Sequence, residues 1–482
     1  MEEQINQQTK QPAPLRIEAL KDRLKVDESF DIICRTLRVG GKAAAIFFVD
    51  GLVKDEVMEK LLEFFYQAQP EDLTDAHAFS KNRVPYIEVD LSGDLDTLCT
   101  NVLSGILVLV IEGFDRALCL DVRTYPQRQT NEPDKDKSLR GSHDGFVETL
   151  VFNTALIRRR IRDTALRMKI FSVGDSSKSD VVLCYMEDRV DHQLLQKVSD
   201  KIRRAQVDAL VMNQESLVEA IYHYKWYNPF PKFKYSERPD VTASAVLEGN
   251  IVILVDNAPS AVILPTSIFD IVEEPDDYYF PPFTGTYLRL SRYFITFITL
   301  VLTPTWLLAL QNPSLVPQFF RFVLLEEPPN VPIFWQLILL ELAIDGMRLA
   351  SLNTPSALNT AMSMVAALVL GDYAVESGWF TGECLLYMAF VAIANYSQQS
   401  LELGYALKFL RILLLVAVWL FNFWRFIGGL VLVFLLLLGN RTISGKSYLY
   451  PLIPFNAHAL RRRFFRPRQS RKSGNGQEEQ RE

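Results

Sequence analysis

The sequence predicts an α/β N-terminal part of two subdomains, held in the cytosol, followed by an α-helical multi-pass membrane domain. Three observations carry this. The C-terminal third is apolar in long runs, at residues 294–309, 333–344, 357–370, 385–394 and 409–438. The N-terminal part alternates short apolar, Gly-terminated segments with segments whose apolar residues recur at helical spacing. Ionisable residues lie inside or between the apolar runs: Glu341, Asp345, Arg348, Glu376, Glu383, Lys408, Arg411 and Arg425. A charge at the centre of a bilayer costs roughly 2.5–3.5 kcal/mol, so such residues usually face a bundle interior or a wet path.

Residues 1–28 are polar and at most weakly helical. The first fifteen include Glu2 and Glu3 and lack an apolar core, so no signal peptide is expected and the first half should stay in the cytosol. Residues 43–52 (AAAIFFVDGL) read as a buried strand closing on a turn. Residues 54–67 follow as a helix through Val57, Leu61, Leu62, Phe64 and Phe65. Residues 104–113 (SGILVLVIEG) are a second strand, and 117–123 can pair with it as a hairpin. These elements make subdomain I, residues 29–145. After a polar block at 125–144, residues 146–168 read as a helix. Strands at 169–174 and 180–186 flank a turn. A helix at 192–204, a short strand at 209–212, a helix at 214–222 and a last strand at 249–256 complete subdomain II, residues 146–275.

A linker at 276–287 leads to the membrane domain, residues 288–455. Residues 288–311 are the first span, interrupted by Pro304, with Arg289 and Arg292 at its cytosolic edge. The proline-rich stretch 312–331 suits the interface. Residues 334–352 carry the charged stripe, and Pro355 ends or kinks it. Residues 356–371 are small and suited to close packing, and 379–396 form the next span. As one helix, 408–439 would reach roughly 48 Å against a hydrocarbon core of about 30 Å. It is therefore read as two segments broken near Arg425 and Gly428-Gly429. The tail, residues 456–482, holds Arg461, Arg462, Arg463, Arg466, Arg468, Arg471 and Lys472, which places it in the cytosol beside anionic lipid. With both ends inside, the number of crossings is even, four or six.

A net charge of -6 argues against nucleic acid as a partner. Five scattered cysteines without a CxxC pair suggest reduced thiols, and no HExxH or clustered ligands suggest a metal. No GxSxG, P-loop or GxGxxG in proper context is present, so neither an enzyme nor a cofactor is expected.

The sharpest constellation is Glu341, Asp345 and Arg348, whose i, i+4, i+7 spacing puts them on one helix face. Asp345 and Arg348 can pair along the helix. The face reads as the lining of an ion path or as a subunit contact, or else as solvated charge on an interfacial helix. Glu376 and Glu383 flank Gly378, Phe380 and Gly382 and suit either a carboxylate ring at a pore mouth or ordinary loop charges. Arg411 and Arg425 are expected to snorkel or to pair with those acids. In the soluble half, Arg128, Arg140, Gly141 and Glu148 form one polar block that suits an anion or structural ion pairs. Arg158, Arg159 and Arg160 read as a solvated helix face.

Several motifs together resemble the GerA family, the A subunits of spore germinant receptors of endospore-forming bacteria, over almost the whole chain. FFVDGL at 47–52 resembles the family's first strand and turn. Arg128, Glu132, Pro133, Arg140, Gly141, Gly145, Phe146, Glu148 and Asn153, followed by LIRR at 156–159, are similar to its R, EP, RG, GF, E, N, LIRR signature. Arg238-Pro239-Asp240 with 247–256 resembles the next block, and 444–454 the terminal S-G-x-x-Y-x-x-P-x-x-P. The receptor pattern E-x-x-x-E-x-x-R-E-A-x-x-R-x-P falls on Glu341, Asp345, Arg348, Leu349, Ala350, Asn353 and Pro355. Here Asp345 replaces the second Glu, Leu349 the third and Asn353 the second Arg. That departure is similar to a paralogous, non-receptor branch.

The resemblance implies a multi-pass protein of the inner spore membrane. It also implies homo-oligomerisation around a pore, small membrane-protein partner subunits and contact with germinant receptors. It favours an ion-conducting accessory complex that amplifies germination by releasing monovalent cations. A nutrient-receptor A subunit and a non-conducting scaffold for receptor clusters are the alternatives. Arg128, Arg140, Gly141, Glu148, Asn153 and Pro355 would be structural members of the family motifs.

Overall fold

The computed structural model describes residues 15–125, 141–274, 276–325, 327–353 and 373–465. Arg128, Glu132, Pro133, Arg140, Pro355, the expected span at 356–371 and the tail from residue 466 onward lie outside the described residues. The chain divides into two compact units. One holds the N-terminal residues to His223 together with Tyr235–Pro265. The other holds Tyr224–Lys234 and the described residues from Thr266 on.

The N-terminal unit contains two five-stranded sheets. The first is built from α1 (Ile17–Leu24), β1 (Ile32–Val39), β2 (Lys42–Val49), α2 (Asp55–Gln67), α3 (Ala76–Arg83), β3 (Val89–Ser92), α4 (Leu95–Leu103), β4 (Leu107–Ile111) and β5 (Ala117–Leu120), with strand order β1-β2-β4-β5-β3. Its pairings are antiparallel. The central strands are apolar on both faces because helices cover both. Ala44, Ile46 and Phe48 of β2 point into one core with Leu61, Phe65 and Phe79. The alternate residues Ala45, Phe47 and Val49 point into the other with Leu20, Leu98 and Val102. A period of two along a strand buried on both faces gives the unbroken run AAAIFFV. Gly40 and Gly41, both with positive φ, close the tight turn between β1 and β2, where a two-residue hairpin turn of this kind needs φ > 0 at each position.

α5 (Leu150–Arg160) leads to the second sheet. This contains β6 (Leu166–Val173), β7 (Ser179–Met186), α6 (His192–Arg203), α7 (Asn213–Ile221), β8 (Lys234–Ser236), α8 (Pro239–Leu247), β9 (Ile251–Val255) and β10 (Ala261–Leu264), in the order β6-β7-β9-β10-β8. The second sheet repeats the topology of the first. In chain order β6, β7, β8, β9 and β10 take the places of β1, β2, β3, β4 and β5, while α6, α7 and α8 take those of α2, α3 and α4. The copies differ most in the link between the second of these helices and the third strand. That link runs over 84–88 in the first copy and over the longer stretch 222–233 in the second.

The structure shortens the helix expected over 146–168. Asp163 opens a turn, its Oδ1 accepting from Ala165 N–H at 2.9 Å, and β6 begins at Leu166. No strand forms at 209–212. That apolar stretch turns into α7 through Asn213, whose φ of 47° is left-handed and whose amide donates to the Asn257 carbonyl at 2.6 Å. The strands β1, β3, β8 and β10 and the helices α3, α4 and α8 do not stand out in the sequence pattern. Most are short, or buried on all sides and therefore without an amphipathic stripe.

The second unit comprises α9 (Ile268–Val272), α10 (Asp276–Tyr279), α11 (Pro282–Gln311), α12 (Ile333–Asn353), α13 (Tyr373–Glu376), α14 (Gly382–Tyr396), α15 (Leu401–Leu438) and α16 (Ala457–Phe464). Among the described residues, α11 and α15 are the two helices long and apolar enough to cross a membrane, and α14 is a shorter apolar helix. α15 is not one rod. Asn422, with φ 61° and ψ -148°, breaks it into residues 401–421 and 423–438. The two legs fold back on each other: a Cβ placed on Gly429 would come within 2.7 Å of the Leu414 side chain. The break thus falls at Asn422 rather than at Arg425 or the two glycines, and Gly429 instead allows the legs to approach. Asn312 and Asn422 exchange hydrogen bonds at 2.5 and 3.2 Å, which ties the end of α11 to this turn. Gln336 Oε1 accepts from Thr381 N–H at 2.9 Å, so α12 and α14 begin at one end of the bundle. Arg348 lies over Tyr396 and Tyr405, so α12 and α14 finish at the other, where α15 starts.

Candidate functional site

Helical spacing puts Glu341 and Asp345 on one face of α12, and Lys408 and Arg411 on one face of α15. These two faces meet. Arg411 Nε donates to Glu341 Oε1 at 2.6 Å, and Nη2 lies 2.6 Å from the same oxygen. Arg411 Nη1 donates to the Thr299 carbonyl of α11 at 2.8 Å, so three helices share one guanidinium. Lys408 Nζ donates to the Glu341 carbonyl at 3.0 Å, lies 3.7 Å from Glu341 Oε2, and forms an ion pair with Asp345. Glu341 is 3% exposed and Arg411 1%, whereas the Asp345 side chain keeps 31% of its exposure. Two acids and two bases cancel in a desolvated place. Glu341, Lys408 and Arg411, the buried three, depend on one another, since removing one partner of a buried pair leaves an uncompensated charge.

The structure brings Glu341 and Asp345 together but separates Arg348 from them. Arg348 stacks on Tyr396 and Tyr405 at 5.5 and 5.2 Å instead of pairing with Asp345. Arg411 bonds Glu341 and not Glu376 or Glu383. Arg425 is exposed and lies over the Phe421 ring. Glu376 is exposed, and Glu383 is half-buried in the first turn of α14, where a carboxylate suits the helix dipole. Sequence reasoning missed the two bases as partners of the stripe. The available signal was their own i, i+3 spacing inside an apolar run.

In the N-terminal unit, Arg158 is not on a solvated face. It is fully buried. Nε donates to Asp31 Oδ2 at 2.7 Å and Nη2 to Asp31 Oδ1 at 3.0 Å. The same Nη2 reaches Ser29 Oγ at 3.2 Å, and Ser29 Oγ also accepts from Met168 N–H of β6 at 3.1 Å. One side chain thus joins the start of β1, α5 and β6. Arg160 pairs with Asp144 at 2.6 Å, and Arg159 lies 4.4 Å from the Tyr125 ring centroid. Asn153 is buried and pins the preceding loop, accepting from Val147 N–H at 2.8 Å and donating to its carbonyl at 2.5 Å. Gly141 and Glu148 are exposed, and the Glu148 carbonyl accepts from Asn257 N–H at 2.8 Å.

A second charged cluster closes the base of α11. Arg289 is buried between Glu273 at 2.8 Å and Asp277 at 3.2 Å, and Arg292 pairs with Asp277 at 2.6 Å. Arg463 of α16 reaches Asp270 at 2.6 Å and Glu273 at 2.7 Å, so this tail arginine is spent on protein acids. Burial alone would raise the Glu273 carboxyl, but Arg463 and Arg289 hold it below the usual carboxylate range. Nearby, Lys232 donates to the Arg441 carbonyl at 3.0 Å. Burial, helped by Lys225, pushes its amine down to about 8. Between about 8 and 10.4, the ordinary lysine value, the unfolded chain keeps a proton that the folded chain has released. Stability should therefore rise with pH through that window. Thermal unfolding followed across it should show the gain in the parent and lose it in Lys232→Met.

The five cysteines are free, and burial pushes the Cys99 thiol up to about 11. Among the described residues, no group of three or more His, Cys, Asp or Glu converges as a metal site.

Comparison with known proteins places these motifs. Residues 18–475 match the family model described as Bacillus/Clostridium GerA spore germination protein. The chain is 38% identical to stage V sporulation protein AF of Bacillus subtilis (strain 168), over 92% of this chain and 90% of that one. It is 26% identical to spore germination protein KA of the same organism, over 92% of this chain and 82% of that one. The crystal structure of the N-terminal domain of the A subunit of the Bacillus megaterium spore germinant receptor GerK3 covers 52% of this chain and 92% of its own, at 25% identity and a TM-score of 0.40. The motif blocks along the chain and the match over nearly its full length agree: this protein belongs to the GerA family of spore germination proteins.

Proposed function

We propose that this chain is the oligomeric, ion-conducting subunit of an accessory membrane complex that amplifies germination by releasing monovalent cations. In this reading it is a multi-pass protein of the inner spore membrane with both termini in the cytosol, and it performs no catalysis. Its partners are further copies of itself, small membrane-protein subunits and germinant receptors, with anionic lipid beneath the basic tail.

One observation carries the reading: a quartet of ionisable side chains between apolar helices. Arg411 lies eleven residues from the turn at Asn422, about 16 Å along the helix and so near the middle of a 30 Å hydrocarbon core. Charge at that depth is expensive and marks ion paths and gates. In this reading Asp345, the partly exposed member, is the acid on the hydrated path, and Glu341 anchors Arg411. Arg348, held by two tyrosines at the cytosolic end, gates the exit. Glu376 and Glu383 supply carboxylates at the opposite mouth.

The test is conductance of the purified chain, with and without its partner subunit, in planar bilayers, together with potassium release from germinating spores. Asp345→Ala should reduce release while the amount of protein in the membrane stays unchanged. Normal release from those spores removes Asp345 from the mechanism.

The full charge compensation of the quartet also suits a second reading, a non-conducting scaffold or a nutrient-receptor A subunit, since a neutral, closed bundle needs no path. Deleting residues 287–460 while tethering the remainder to the membrane separates the two. A retained germination phenotype means that the chain acts as a scaffold.

A further inference from the structure

The second sheet's copy outgrows the first between α7 and β8, where residues 222–233 replace the shorter link 84–88. Most of this longer link leaves the N-terminal unit: Tyr224–Lys234 belongs to the helical one. Phe230 is buried there with Leu403 and Leu407 of the first leg of α15 and Val433 of the second. Lys232 bonds the Arg441 carbonyl just past the end of α15, and Lys234 bonds the Asp270 and Glu273 carbonyls at 2.8 and 2.9 Å. The segment is therefore fixed at the level where both legs of the α15 hairpin end.

From that level the segment projects aromatic side chains into solvent. Trp226 is 95% exposed, and Tyr227 and Tyr224 are also exposed. The Trp226 and Tyr227 rings meet edge to face at 6.0 Å, and the Lys225 ammonium lies 5.9 Å from the Tyr227 centroid. An indole, phenols and an ammonium at the ends of apolar helices have the chemistry of the headgroup layer, where an apolar ring and a polar tip are both accommodated. We propose that residues 224–227 are an interfacial anchor that seats in the headgroup layer of an anionic phospholipid membrane. This rests on the reading that α11 and α15 cross that membrane. The anchor would hold the link at a constant depth.

Trp226 emission, taken as the difference between the full chain and Trp226→Phe, tests this in vesicles of phosphatidylglycerol and phosphatidylcholine. One set of vesicles carries a nitroxide at the headgroup, a second near the acyl-chain end. The headgroup nitroxide should remove most of the difference emission and the deep one little. The other five tryptophans, Trp306, Trp335, Trp379, Trp419 and Trp424, report the membrane reading separately. If the nitroxides quench these five but leave Trp226 untouched, the helices cross and the anchor is wrong; Trp226 then serves a protein partner or none. Stronger quenching of Trp226 by the deep nitroxide also overturns an interfacial seat. If no tryptophan is quenched, the membrane reading itself has failed and the anchor falls with it.

Discussion

Glu341→Leu is expected to destabilise the helical unit by about 3–5 kcal/mol, because Arg411 would stay buried without its carboxylate. Unfolding in mixed micelles, followed by near-ultraviolet circular dichroism, should show the loss. Arg411→Leu should lose a similar amount, since Glu341 is then stranded beside Lys408 alone. The double variant Glu341→Leu/Arg411→Leu should recover most of it, because an apolar pair of similar volume often replaces a buried ion pair without penalty. A double variant as unstable as the worse single would mean that the two side chains do not neutralise each other. Asp345→Asn should behave differently. Asp345 keeps 31% of its side-chain exposure, and Lys408 still has Glu341 Oε2 at 3.7 Å, so the loss should be smaller than at Glu341. A large functional loss at Asp345 with little loss of stability would separate the proposed conduction from packing.

Arg158→Leu is expected to loosen the N-terminal unit by a similar amount, about 3–5 kcal/mol, through the stranded Asp31 carboxylate. Arg158→Lys should rescue little. A lysine cannot reach both Asp31 oxygens and Ser29 from one planar group. Limited proteolysis of the full chain should cut the variant first between α5 and β6, where Arg158 otherwise holds Asp31, Ser29 and the Leu166 carbonyl together. Protease resistance equal to the parent's would show that this junction does not depend on the pair.

Much of the architecture is legible locally. The strands at 43–52 and 104–113 stand out because burial on both faces makes them continuous apolar runs. The helix at 54–67 stands out by its stripe, and a break within 408–439 follows from its length. Where local pattern misled, a distant partner was the cause. LIRRR looks like a solvated helix face until Asp31, 127 residues earlier, is brought against Arg158. Glycines at 428–429 look like the break in α15, yet the turn is made by Asn422 with Asn312, 110 residues away.

Chain-local physics, the period of burial, the length of an apolar run and the φ a turn requires, determined from the sequence alone that this protein has two strand-and-helix subdomains and a long apolar helical part with acids on one face of α12. Only the tertiary structure decided which bases meet those acids, because Lys408 and Arg411 lie 67 and 70 residues away. Coulomb and hydrogen-bond energies depend on separation in space, and spacing along the chain determines that only within a single helix or hairpin.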